Sequence, residues 1–180
     1  MALGRVEAFD HDVFLALYKR SGKTQSQIAV ACKVGRSVVN HWLSGRNKPS
    51  PKAAPLLAHA LDTTVLELCG RTSDDADLVD LRIVHGLNAV EAARAAGITP
   101  TQMADLEQAV SMPNPDYLDA LAPVYETSVD DIHRAWVNRR VRLFPGSLEY
   151  LDDAVRHFLS PWADHEPAWA EASGDSDDAQ

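Results

Sequence analysis

The chain has 180 residues, 46% of them hydrophobic and 24% charged, enough for one globular domain or two small ones. Two cysteines, Cys32 and Cys69, rule out a disulfide framework or a zinc ribbon, and no stretch approaches the ~20 apolar residues that span a bilayer. The net charge of −9 divides unevenly: residues 1–70 hold nine Lys/Arg against five Asp/Glu, residues 71–138 four against twelve, and residues 139–180 four against nine.

Residues 1–18 are interrupted by Glu7, Asp10 and Asp12, so no secretory segment is expected there and the default setting is cytoplasmic. Phe14, Leu17 and Tyr18 then form an i, i+3, i+4 stripe behind Asp10 or Asp12 as N-cap, and Gly22 ends that helix. Thr24 caps a second helix that buries Ile28, Ala29 and Cys32. A turn at Lys33, Val34 and Gly35 leads to a third helix over 36–44, which buries Val39 and Trp42 and stops at Gly45. Pro49, Ser50 and Pro51 open a fourth helix over 52–61, because proline is tolerated in a first turn. Residues 63–69 add one more short helical turn.

Slid along itself by 64 positions, the sequence repeats. Leu17 falls on Leu81, Gly22 on Gly86, Ala29 on Ala93, Val39 on Met103 and Leu57 on Leu121, and Pro49 and Pro51 fall on Pro113 and Pro115. This predicts two copies of one all-α module, 10–69 and 76–142, joined by the polar stretch 70–75. The second copy ends in a helix running from Val129 to about Arg142. A C-terminal helix is expected over 147–160, from the 3, 4, 3 spacing of Leu148, Leu151, Val155 and Phe158, and a disordered acidic tail over 165–180.

Helix, tight turn, helix, then a Gly-x-x-x-Pro-x-Pro loop and two further helices carry a resemblance. Thr24 and Gln25 open helix 2, Ala29 is buried in it, Val34 follows the turn, Trp42 lies in helix 3, and Gly45, Arg46 and Pro49 mark the loop. In these residues the chain resembles the lambda-repressor-like (Cro/repressor, Xre) helix-turn-helix family over 12–69 and, more weakly, over 76–133. It departs from that pattern at Lys33, where glycine is usual, and at Leu43, where an acidic residue often follows the Trp position. The resemblance implies five-helix modules, duplex DNA as partner, and residues 36–43 as the recognition helix.

The residue types suit that role. Arg36 can bond guanine bidentately, Ser37 can donate or accept, and Val38 can meet a thymine methyl, with Asn40 and His41 one turn on. Gln25 can bring its amide to a phosphate, and Lys23, Arg46, Asn47 and Lys48 flank the reading helix. The second copy has Asp105 where the first has His41, and its counterpart helix, 99–108, carries no cation. Replacing Asp105 and Glu107 by neutral residues is expected to leave DNA affinity nearly unchanged. A fragment ending near Cys69 should hold the DNA-binding activity.

No nucleophile–base pairing, phosphate-cradling glycine loop or metal-spaced histidine pair is present, so neither catalysis nor a metal or other cofactor is expected. The resulting expectation is a sequence-specific transcriptional regulator. It would repress from a palindromic operator as a homodimer, paired through the second module or the C-terminal helices. An antitoxin-like partner-binding protein and a plasmid- or phage-linked structural DNA binder are the alternatives.

Overall fold

The structure is a computed structural model that describes residues 9–110 and 113–145. Among these residues it contains ten helices and no strand. The first half holds α1 (His11–Ser21), α2 (Gln25–Ala31), α3 (Arg36–Leu43), α4 (Ala53–Ala60) and α5 (Val65–Leu68); the second holds α6 (Leu78–Val84), α7 (Ala89–Ala95), α8 (Pro100–Gln108), α9 (Pro115–Asp119) and α10 (Val129–Leu143). The helices expected over 147–160 and the tail over 165–180 lie outside the described residues.

Most helices start on a side chain that satisfies free N–H groups. The Asp10 carboxylate accepts from the amides of Asp12 and Val13. Thr24 and Gln27 cap each other, as do Thr64 with Glu67 and Asn88 with Glu91. Each half then buries a stripe of apolar side chains. Phe14, Ile28, Val39, Trp42, Leu57 and Leu68 centre one core; Leu78, Ala92, Met103, Leu106, Leu121 and Ile132 centre the other. Each residue of the second set lies 64 positions after its partner in the first.

The backbone keeps the same interval. Left-handed conformations occur at Gly22 and Gly86, at Lys33 and Gly97, at Gly45 and Ala109, and at Asp62 and Glu126. At Lys33 (φ 56°) the chain leaves α2 in a C-terminal cap, with the Val34 amide donating back to the Ala29 carbonyl at 3.0 Å; Gly97 and Ile98 do the same after α7.

The halves are not beads on a string. Leu78 of α6 enters the second core, while Val79 and Ile83 enter the first. The stretch 70–75, expected as a polar joint, is pinned by the far end of α10. Asn138 donates to the carbonyls of Asp74 and Ala76, and Arg142 to that of Asp75. Beside it lie two carboxylates, Asp77 and Asp80, each 1% exposed. Arg142 bonds both, Arg139 reaches Asp77 at 3.4 Å, and Arg71 stands 3.8 Å from Asp80. A buried charge is tolerated only when paired in this way. Among the described residues no helix is long and apolar enough to cross a membrane.

Candidate nucleic-acid interface

α3 presents two faces. Val39 and Trp42 point into the core, and Val38 and Leu43 pack half-buried against its edge. Arg36, Ser37, Asn40 and Ser44, at i, i+1, i+4 and i+8, therefore lie on the exposed side. Arg36 forms no ion pair with any described residue, and Asn40 no side-chain hydrogen bond with one. His41 is half-buried.

The start of α3 differs from most of its fellows. Its N-cap is Gly35, which has no side chain to accept from the first-turn amides. The Val38 amide donates to the Gly35 carbonyl at 2.9 Å, which leaves the Arg36 and Ser37 N–H groups and the positive end of the helix dipole as an anion-binding arrangement. α2 packs against α3 with Gln25, half-buried, in its first turn.

Two hydrogen bonds hold the loop leaving α3, one on each side of a left-handed turn at Gly45. His11 Nε2, from α1, donates to the Leu43 carbonyl at 3.1 Å. Gly45 turns the chain at φ 69°, where any Cβ would come within 3.5 Å of that same His11 ring. The Asn47 amide donates back to the His41 carbonyl at 3.2 Å. Arg46 and Lys48 are exposed on this loop, and Pro49 and Pro51 are buried beneath it.

Ten residues were singled out from sequence. The structure groups Arg36, Ser37 and Asn40 on the open side of α3, Gln25 on the adjoining helix, and Arg46, Asn47 and Lys48 on the following loop. Two behave differently from their expected roles. Lys23 is engaged: its ammonium bonds the Ala60 carbonyl and pairs with Asp62 at 3.1 Å. Val38 gives part of its surface to the core, which leaves only the remainder for an outside contact.

The corresponding surface of the second half is closed. α8 is N-capped by Thr99, which exchanges hydrogen bonds with Gln102, and Pro100 has no amide hydrogen to offer. Pro100, Thr101 and Asp105 stand where Arg36, Ser37 and His41 stand in α3. Arg82 Nε binds Glu107 at 2.5 Å, with both side chains mostly buried, so Glu107 is structural. Its carbonyl accepts from Arg139 at 2.7 Å, the counterpart of the His11 contact on Leu43.

Sequence reading also missed the arginines of α10. Arg139, Arg140 and Arg142 look like a basic run, yet they turn inward onto the carbonyls of Glu107, Ala109, Val110 and Asp75 and onto Asp77 and Asp80. Their partners lie 30 or more residues away, beyond any local pattern. Cys69, like Cys32, is buried. Burial pushes the Cys32 thiol up to about 11 and the Cys69 thiol up to about 12.

Against this geometry stand the comparisons with known proteins. A helix-turn-helix family model of the Cro/C1 (Xre, lambda-repressor-like) type matches residues 15–68, from within α1 to the end of α5. No curated protein and no solved structure matches the chain.

Proposed function

We propose that the chain, whose residues 15–68 match a helix-turn-helix family model of the kind found in DNA-binding regulators, is a sequence-specific repressor that occupies a two-fold operator as a homodimer. In this reading α3 enters the major groove. Arg36 bonds a guanine edge, Ser37 and Asn40 read neighbouring positions, and the uncovered part of Val38 meets a thymine methyl, with His41 at the margin. Gln25 and the loop residues Arg46, Asn47 and Lys48 fix the helix against phosphates. With Lys23 held by Asp62, Arg46 and Lys48 are the cations set against phosphates, for a salt slope of about −2 per module.

One observation carries the reading: α3 has no side-chain cap at its N-terminus and an Arg36 that forms no ion pair with any described residue, whereas α8, 64 residues on, is side-chain capped and has Pro100 in place of Arg36. We take the second half to be a copy of the same module that has lost its DNA-reading face and serves protein–protein contact, first of all with a second chain. A single module covers only ~600–1,000 Å² on DNA, so dimerisation supplies the affinity that one lacks.

In vitro selection of duplexes bound by the full chain, followed by mass measurement of the complex, tests this. A pseudo-palindromic site holding two chains is the expected result. No enrichment of any sequence at low salt would overturn the reading, and one chain on one half-site would remove the homodimer from it.

A further inference from the structure

Lys52 lies at the N-cap of α4, closing the loop that carries Arg46, Asn47 and Lys48. Its side chain is 73% exposed, which by itself would make it the next cation along a DNA backbone passing this loop. The ammonium, however, is claimed by the other half of the molecule. Glu91 Oε1, on α7, lies 2.7 Å from Lys52 Nζ. Glu91 is itself held fast, because its other oxygen accepts the Asn88 amide at 3.0 Å in the capping box of α7.

The juxtaposition is built into the fold. The turn before α7 rests on the α3–α4 loop: a Cβ at Gly86 would lie 3.6 Å from the Pro51 carbonyl oxygen and 3.8 Å from the Lys52 Cα. Gly86 is left-handed at φ 69°, a conformation that favours glycine there. α6 fixes the relative position of the halves from beneath, through Val79 and Ile83 in the first core and Leu78 in the second.

We propose that Lys52 is a phosphate ligand held in reserve, and that Glu91 of the second half acts as an intramolecular stand-in for the phosphate, setting the affinity of the first half for duplex. The inference rests on the reading of the first half as the DNA-binding unit. A carboxylate and a phosphodiester oxygen compete for the same ammonium. An ion pair this open to solvent is weak enough to be exchanged. The acidic second half thus acts on DNA binding through one defined contact as well as through its overall charge.

The test is a four-way comparison of full-length chains on a selected duplex: the wild type, Glu91→Gln, Lys52→Ala and the double variant. Glutamine keeps the amide-accepting oxygen that the capping box uses, so α7 is retained, and a thermal melt checks this. Glu91→Gln is expected to tighten binding about twofold to fivefold at 50 mM salt and to steepen the slope of log K against log salt by up to about 0.9, one added phosphate contact. Lys52→Ala alone is expected to change binding less than twofold, and to abolish the gain when combined with Glu91→Gln.

An equal gain in both backgrounds would overturn the proposal, since it would reflect only the lost negative charge. A Glu91→Gln chain with the wild-type slope would overturn it as well. Binding that is absent in all four chains would instead refute the DNA-binding reading beneath it.

Discussion

Lys33 adopts a left-handed backbone at the turn between α2 and α3, the place that Gly97 fills in the second half. A side chain there costs on the order of 1 kcal/mol relative to glycine. Lys33→Gly should therefore raise the melting temperature by about 2–4 °C for a chain of this length. An unchanged melt would show that the turn is not strained. The departure from the family pattern at Lys33 was readable in sequence; that the backbone there is left-handed comes from the structure. Arg36 bears the recognition argument most directly. Arg36→Ala should cost about 1–3 kcal/mol on the selected site and relax the preference at one base pair. Equal affinity and selectivity in that variant would remove Arg36 from the reading surface. Cys32 and Cys69, with thiols raised to about 11 and 12, should resist iodoacetamide at pH 8 until the chain is unfolded.

α6 and α10 show how far local patterns reach. Helix starts were legible where Thr24 precedes a hydrophobic stripe, and the last helix was expected over 129–142 against the observed Val129–Leu143. The clamp that α10 places on α6 was not legible, since Asp77, Asp80, Arg139 and Arg142 look like ordinary surface charges until folding brings them together. Asp77 N-caps α6 and receives both arginines. Asp77→Ala should lower the unfolding free energy by about 3–5 kcal/mol, because two guanidinium groups lose a buried partner. Asp80 differs. Burial, reinforced by the charge of Asp77, holds its carboxyl above the ordinary range. A raised value means that its contribution is present at low pH and lost as pH rises through the folded-state value. Asp80→Asn keeps an acceptor for Arg142 and removes that dependence, so its stability relative to the wild type should improve with rising pH in urea melts. A difference independent of pH would contradict this.

The division of charge between the halves was the clearest signal in the sequence, and it survives as a division between an open α3 and a closed α8. What the linear chain hid is that the halves share α6. The fragment ending near Cys69 that the sequence pointed to would lack Val79 and Ile83, both fully inside the first core. Ending the fragment after Gly86 instead should add about 3 kcal/mol to its unfolding free energy, from restored burial of two aliphatic side chains. Equal stability of the two fragments would mean that α6 belongs to the second half alone. This coupling also explains how a surface such as Glu91 comes to meet Lys52 across the boundary.

Amide hydrogen exchange of the full chain, with and without its selected duplex, probes most directly which half holds DNA. Protection is expected over residues 24–48, strongest at the first turn of α3, with residues 99–108 unchanged. Protection of α8 equal to that of α3, or none at α3, would contradict the assignment of the reading surface.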